Sequence, residues 1–168
     1  LLLVFIVMSF GGNSNNQPVA VYENVASEIT APATLPQGSP GTWEILVDNR
    51  ESVPIRDVEV NLAFDRDFKY LKSINPSPEN PEGNIYKFSR LDAVGGRSST
   101  AKISFEGILT GKVDVEPVMS GVITYFPEIN GQLGQMQSIA ISSSQTKIIS
   151  PEIDLRLVPT DEEVRNGG

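Results

Sequence analysis

The sequence predicts an all-β protein folded as a sandwich of two antiparallel sheets, and three of its features indicate this fold class. From Ala26 onward, apolar and polar residues alternate with a period of two, which is typical of strands that bury one face and expose the other. Turn signals rich in Gly, Pro, Asn and Asp recur at intervals of roughly 8–12 residues and separate about seven or eight short strands. After Phe10, no window carries the sustained apolar stripe of an amphipathic helix. A jelly roll or another barrel is the alternative architecture.

The predicted strands follow one another at positions that the alternation defines. They cover residues 42–47, 58–64, 68–74, 85–91, 101–105, 118–126, 136–141 and 147–149. The loop Asn75–Gly83 carries three prolines, which lack the backbone N–H group that a sheet ladder requires. Asp92–Gly96 has the composition of a turn, and the strands 118–126 and 136–141 are predicted to form a hairpin around Pro127–Gly131.

Six apolar residues lie at the alternate strand positions that face the other sheet, and they are predicted to be largely buried in the core. They are Trp43, Val60, Leu62, Phe64, Ile103 and Phe105. Trp43 shares one strand face with Ile45 and Val47, so we interpret it as a packing residue, with stacking against a ligand as the minor alternative.

The composition excludes several classes of function. The chain has 13 Lys and Arg against 21 Asp and Glu, a net charge of -8, which argues against a nucleic-acid backbone or an anionic membrane surface as the main partner. It contains neither Cys nor His, so thiolate nucleophiles, imidazole-based triads and Cys- or His-ligated metal sites are excluded. We therefore predict a protein that is not an enzyme and that carries no cofactor and no metal.

The first ten residues are almost entirely apolar and indicate a membrane anchor. The apolar positions are Leu1, Leu2, Leu3, Val4, Phe5, Ile6, Val7, Met8 and Phe10. As a helix they would be about 15 Å long, half of a hydrocarbon core of roughly 30 Å. We interpret residues 1–12 as the C-terminal half of an anchor helix and residues 13–25 as a polar tether. The alternatives are the apolar core of a signal peptide, an element of a soluble core, and a filament helix sheathed by sister subunits.

The charge pattern after this segment predicts the side of the membrane. No Lys or Arg precedes Arg50, whereas Glu23, Glu28, Glu44 and Asp48 do. Because cytoplasmic flanks of a span are rich in Lys and Arg, we expect the folded domain on the extracytoplasmic side, at the cell surface or in the periplasm. Residues 1–10 would then contact membrane lipid or the helices of a membrane complex.

Several turns and strands together carry a family resemblance. The turn Leu35–Gly38 precedes the Trp43 strand, which ends in Val47-Asp48-Asn49, and Val53–Leu62 combines a proline turn with an alternating strand. The turn Leu91–Gly96 then leads into the strand 101–105. Over about residues 26–150, this pattern resembles the immunoglobulin-like repeat domains of bacterial and archaeal surface proteins, of the cell-adhesion-related and conserved-repeat type. The resemblance implies an Ig-like sandwich with a role in spacing, adhesion or assembly, and it implies no catalytic residues.

The C-terminal segment, residues 151–168, has two interpretations. Ile153–Val158 alternates like a strand, and Val164–Gly167 repeats the apolar-x-x-Gly pattern of Leu35–Gly38. This segment is either the last strand of the sandwich or the start of a second repeat.

Three candidate chemical sites each have a simpler explanation as turn or surface. The segment Asp65–Asp67 could contribute to a calcium site, but its spacing is that of a solvated turn. Two Ser-x-x-Lys matches, Ser99 to Lys102 and Ser144 to Lys147, fall in strands, where a spacing of three separates the side chains. Either lysine could also form an isopeptide bond with a strand asparagine such as Asn61, although no sequence feature pairs them.

Three functions from different classes remain open. The first is a structural or interaction subunit that meets other protein subunits at its sheet edges. At least one of the segments 135–149 and 153–158 is expected to pair outside its own sheet or to lead into a following domain. The second is a binding module for an extracellular glycan or matrix ligand, which an exposed cluster of Tyr70, Tyr86 and Tyr125 would favour. A hydrolase is the weakest of the three.

Overall fold

The computed structural model describes residues 22–151, and it folds them as an all-β, Ig-like sandwich, which confirms the predicted fold class. The strands are β1 (Val25–Thr30), β2 (Thr34–Pro36), β3 (Pro40–Asn49), β4 (Ile55–Ala63), β5 (Phe68–Asn75), β6 (Ile85–Leu91), β7 (Thr100–Leu109), β8 (Val118–Ile129), β9 (Gln132–Leu133), β10 (Gln137–Gln145) and β11 (Lys147–Ile149). Residues 22–151 include no helix that is long and apolar enough to cross a bilayer. The predicted anchor, residues 1–12, and the C-terminal segment beyond Pro151 lie outside the described residues.

Two antiparallel sheets form the layers of the sandwich. The smaller sheet has the order β1-β3-β7-β5, and the larger has the order β10-β8-β4-β6 with β9 added beside β8. The register of neighbouring strands places apolar residues opposite one another, so that they share one face of the sheet. Trp43 lies opposite Phe105, and Val60 lies opposite Ile123. Each sheet therefore presents a continuous apolar face to the other, as the alternation along single strands predicts.

One pairing departs from the antiparallel prediction. The strand β11 pairs with β2 in parallel, with Ile148 opposite Leu35, and both of these residues are buried. The segment 147–149 thus leaves the sheet that contains β10 and closes one end of the sandwich. Alternation along a strand does not reveal the direction of its partner, so the sequence could not predict this pair.

The chain turns back after β8 later than predicted, and the short strand β9 comes first after the turn. The strand β8 continues through Pro127 to Ile129, and the two-residue turn is Asn130-Gly131, with φ angles of 52° and 78°. Positive φ at both positions is the geometry of a type I′ turn, for which Asn-Gly is a favoured pair. The backbone groups next to the Pro127 ring are satisfied, since the amide of Glu128 donates to the carbonyl of Pro54 and the carbonyl of Pro127 accepts from the amide of Gly134.

The structure buries five of the six residues assigned to the core from the sequence. Trp43, Val60, Leu62, Ile103 and Phe105 are each at most 2% exposed. Phe64, which was also expected to be largely buried, is only half-buried. It follows the end of β4 at Ala63, and its ring packs on that of Phe68, with centroids 4.5 Å apart, at the margin of the core.

Aromatic rings gather around Phe105 in the middle of β7. Its ring centroid lies within 6.4 Å of five other rings, those of Trp43, Phe64, Phe68, Tyr70 and Tyr86. Gly107, two residues further along the same face, lies directly against the ring of Phe68, so that a Cβ atom there would overlap the ring. The cluster joins strands of both sheets and is the centre of the core.

Candidate interaction surface

The described part of the chain enters the sandwich at one end and leaves it at the other. Beyond the last residue of β3, the amide of Arg50 donates to the carbonyl of Asn24, 3.0 Å away. Before the first residue of β3, the amide of Gln37 donates to the carbonyl of Ile149, also 3.0 Å away. The ten residues of β3 span about 30 Å at the usual rise of a strand. The domain therefore holds the two ends of its described chain apart by about its own length.

A buried asparagine organises the end at which the chain enters. The side chain of Asn49 is fully buried; its Nδ2 donates to the carbonyls of Val53 (3.0 Å) and Asp92 (2.7 Å), and its Oδ1 accepts from the amide of Glu51 (3.1 Å). Asp48, its neighbour, forms an exposed ion pair with Arg50 at 2.8 Å. Asn49 thus connects the end of β3, through hydrogen bonds, to the turn that follows β3 and to the turn that follows β6.

Each main sheet ends in two edge strands within residues 22–151, and three of these four edges carry charged side chains. The edge strand β5 has Lys69 and Lys72 and two irregularities in its pairing with β7. The edge strand β6 has Lys87 and Arg90, and β1 has Glu28. Charges and bulges of this kind discourage the addition of a further strand.

The fourth edge, β10, has no charged residue. Residues 129–146 contain no Asp, Glu, Lys or Arg, and Ser138 and Ala140 are exposed on the outer side of this strand. Several large apolar side chains on the same hairpin are exposed as well; they are Val118, Val122, Leu133 and Met136. We call Ser138, Ala140 and these four residues the β10 surface.

A shallow depression continues the β10 surface across the larger sheet. It has a volume of about 310 Å³ and lies on the outer face of β4 and β8, where it is lined by Glu59, Asn61, Ala63, Ser120, Gly121, Val122 and Thr124. Its one charged side chain, Glu59, pairs with Lys87 at 3.3 Å. The outer face of the smaller sheet differs, because ion pairs such as Lys102–Glu44 at 2.8 Å and Lys72–Glu106 at 3.3 Å cover it.

The residues of the candidate chemical sites take part in a turn and in surface ion pairs. Asp65 caps a turn, since its Oδ1 accepts from the amide of Asp67 at 3.0 Å and its carbonyl accepts from Phe68 at 2.9 Å. Within residues 22–151, no three or more Asp and Glu side chains are grouped as metal ligands. Lys102 pairs with Glu44 and Lys147 with Asp114 at 3.0 Å, so both lysines form surface ion pairs. Asn61 belongs to the larger sheet and Lys102 to the smaller, which keeps them apart.

The three tyrosines considered for ligand binding do not form an exposed cluster. Tyr86 and Tyr125 are fully buried, and Tyr70 is half-buried against the core. The hydroxyl of Tyr125 donates to the carbonyl of Tyr22 at 2.6 Å, whereas the buried hydroxyl of Tyr86 lies beside the side chains of Ser73 and Tyr70 without a well-formed hydrogen bond among the described residues. The feature that would favour a glycan- or matrix-binding module is therefore absent at these positions.

Burial changes the titration of both fully buried tyrosines. It raises the pKa of Tyr86 to about 12, and it also raises the pKa of Tyr125 above its usual value of about 10. The unfolded chain loses these protons near pH 10, but the folded chain retains them. The stability that they contribute is therefore complete below about pH 10 and is lost as the pH rises toward about 12.

We expect the Tyr86→Phe variant to resist alkali better than the wild type. At pH 7 its free energy of unfolding should change by less than about 1 kcal/mol, because the hydroxyl removed makes no well-formed hydrogen bond. Above about pH 10 its stability should fall less steeply, since one raised pKa is gone. Urea titrations at neutral and alkaline pH measure both effects.

Tyr125→Phe is the control: its free energy of unfolding at pH 7 should fall by about 1 kcal/mol, through the lost hydrogen bond to Tyr22. Parallel alkaline losses in Tyr86→Phe and the wild type would contradict the assignment.

Comparisons with known proteins support the fold alone. No family model matches the sequence, and no curated protein matches it. Among solved structures, a cohesin module from a Clostridium perfringens family 33 glycoside hydrolase is similar, with 13% identity and a TM-score of 0.52 over 76% of this chain and 98% of that chain. The seventh PapD-like domain of human CEP192 has 14% identity and a TM-score of 0.44, over 87% of this chain and 99% of that chain. At this level of identity the cohesin likeness concerns the sandwich fold, and the lower TM-score of the second likeness adds nothing to it.

Proposed function

We propose that this chain is a non-enzymatic structural and interaction module, anchored in a membrane through residues 1–10, that positions an assembly outside the cytoplasm. The observation that carries the proposal is the geometry of the chain ends. Asn24 and Ile149 are held at opposite ends of a sandwich whose strand β3 runs the distance between them. A domain that the chain enters at one end and leaves at the other extends the chain by the length of the domain, as a spacer requires.

Two further features support an interaction role. The β10 surface combines an edge strand without charges with exposed apolar side chains, the kind of patch at which proteins meet. The absence of Cys and His from the sequence removes thiolate nucleophiles and imidazole proton carriers, on which many hydrolases depend.

A filament subunit is the second candidate, because the same apolar segment could be sheathed by sister subunits instead of lipid. An adhesin-like module for glycan or matrix is a weaker candidate, since Tyr86 and Tyr125 are buried. In all three cases the folded domain is placed outside the cytoplasm, so its location is the first property to test.

The absence of native cysteine makes this test direct, because any introduced thiol is unique. We expect Arg97→Cys, at an exposed turn position, to react with a membrane-impermeant maleimide in intact cells that produce the full chain. Ile103→Cys is the matched control, since Ile103 is fully buried and should react only after denaturation. Reaction of Arg97→Cys only after the outer layers are opened would place the domain in the periplasm. Reaction only after the cytoplasm is opened would refute the extracytoplasmic location.

Removal of residues 1–10 tests the anchor separately. With a complete anchor helix the protein should sediment with membranes or with a filament fraction, and the loss of residues 1–10, half of a span, should release it into the soluble fraction. Detergent distinguishes the two settings, because it dissolves a membrane-held chain but leaves a filament intact. A shortened chain that remains in the membrane fraction would show that another part of the protein holds it there.

A further inference from the structure

The end at which the chain enters the sandwich carries the most exposed apolar side chains of residues 22–151. Val94 and Met136 are each 60% exposed and Leu133 is 54% exposed, whereas each of the other large apolar residues is at most 53% exposed. Val94 belongs to this end because its amide donates to the carbonyl of Glu51, just after β3. The strand β9, which contains Leu133, pairs with the last residues of β8 at the same end. Apolar surface is therefore concentrated where residues 1–21 join the domain.

A hairpin extends the sandwich beyond the point at which the chain enters. The hydroxyl of Tyr125 donates to the carbonyl of Tyr22, and β8 continues past Tyr125 to Ile129, which adds about 13 Å of strand. We call residues 127–136, which comprise the end of β8, the turn and β9, the entry hairpin. Residues 129–136 include no charged side chain, so the tip of the entry hairpin is uncharged.

The length of chain between the proposed anchor and the domain keeps this end close to a bilayer. Only residues 13–21 separate the anchor, residues 1–12, from Tyr22, and a fully extended chain of that length spans about 30 Å. The opposite end of the sandwich, where Ile149 lies, is a further strand length away. The entry hairpin is therefore on the side of the domain that is nearest to the membrane.

We propose that the entry hairpin rests on the bilayer that holds the anchor, with Leu133 and Met136 inserted among the lipid headgroups. This inference rests on the proposed membrane anchor. It names the lipid surface as a second attachment of the chain, which would fix the tilt of the sandwich relative to the membrane.

Lipid contact is favourable here because it covers apolar surface and does not remove water from an unpaired charge. Glu128 is the one charged residue of the entry hairpin; its side chain is 18% exposed and lies 3.6 Å from Arg56 and 3.5 Å from Arg90. A small gain is sufficient, since the anchor makes the contact intramolecular and the effective concentration of lipid high. The net charge of -8 favours a bilayer of zwitterionic rather than anionic lipid.

The test uses the protein with its complete anchor helix, reconstituted in nanodiscs of zwitterionic lipid. An environment-sensitive fluorophore is attached to Gln132→Cys, an exposed position beside Leu133. Ser150→Cys is the matched control, because Ser150 is also polar and exposed but follows β11 at the opposite end. We expect the emission of the label at residue 132 to shift to the blue and to be quenched by a nitroxide on the lipid headgroup. The label at residue 150 should show neither effect.

A charge on the entry hairpin tests which side chains make the contact. In the Gln132→Cys background, Leu133→Asp should remove most of the quenching, because a carboxylate resists transfer out of water. Leu46→Asp adds the same charge to the outer face of β3, where Leu46 is 42% exposed, and should leave the quenching unchanged.

Equal quenching at residues 132 and 150 would overturn the proposal, as would equal effects of Leu133→Asp and Leu46→Asp. A blue shift at residue 132 without quenching by the lipid nitroxide would show contact with protein instead of lipid and would overturn it as well. Nanodiscs that retain the protein while the label at residue 132 stays unquenched would refute the hairpin contact and leave the proposed anchor standing. A protein that does not enter nanodiscs would refute both.

Discussion

Replacing Phe105 with alanine is expected to lower the free energy of unfolding by about 3–5 kcal/mol, the usual range for removing a buried phenylalanine. Phe105 is fully buried and touches rings from both sheets, so the cavity would open at the centre of the sandwich, where neighbouring strands cannot collapse into it. Because a domain of this size has a total stability of about 5–15 kcal/mol, this loss would populate the unfolded state measurably. Urea or guanidinium titration monitored by Trp43 fluorescence measures it.

Two further variants separate ring packing from burial in general. Phe105→Leu keeps most of the apolar volume and should cost clearly less than Phe105→Ala. Leu46→Ala, on the outer face of β3 where Leu46 is 42% exposed, should change stability by less than about 1 kcal/mol. Similar losses in Phe105→Ala and Leu46→Ala would mean that the aromatic cluster is not the centre of the core.

Replacing Asn49 with alanine should be the second-largest loss, about 2–4 kcal/mol. The amide group satisfies two carbonyls and one backbone N–H at a fully buried position, and its removal leaves all three without that partner. The turns that follow β3 and β6 should loosen together, because Asn49 contacts Val53 in one and Asp92 in the other. Hydrogen exchange of the amides in residues 50–54 and 92–98 would detect this loosening.

The matched control is Asn61→Ala, which removes the same side chain from an exposed position of β4 and should cost less than about 1 kcal/mol. Asn49→Asp is a sharper probe, because a carboxylate would face the carbonyls of Val53 and Asp92 with no hydrogen to donate. We expect it to be at least as damaging as Asn49→Ala. A stable Asn49→Asp variant with unchanged hydrogen exchange would refute the bonding assigned to this amide.

The sequence alone was sufficient for the elements that depend on local geometry. Alternation with a period of two follows from the pleat of a single strand, so it identified the all-β class and placed Trp43, Val60, Leu62 and Ile103 at positions that the structure buries. The same reasoning overestimated the burial of Phe64, because β4 ends one residue before it. It also ended β8 before Pro127, whereas the strand continues to Ile129, with the amide of Glu128 donating to the carbonyl of Pro54 and the carbonyl of Pro127 accepting from Gly134.

The candidate site could be read from the sequence only in part. The absence of charge from residues 129–146 is evident from the sequence, which also predicts that at least one of the segments 135–149 and 153–158 pairs outside its own sheet or leads into a following domain. The sequence could not reveal that β10 lies at the edge of its sheet, or that the other three edge strands carry Lys, Arg or Glu. The segment's last strand, β11, does leave the β10 sheet, but it pairs with β2 of the same chain.

Tertiary structure alone decided which strands are neighbours, which of them are edges, and which polar groups are enclosed. Asn49 has the sequence context of an exposed turn residue, yet the turns after β3 and β6 close over it. Tyr86 and Tyr125 could have stood on a surface, but both are fully buried. The physical reason is one of range: strand periodicity is set by adjacent residues, whereas pairing and burial arise from contacts between residues far apart in the chain, which no local pattern records.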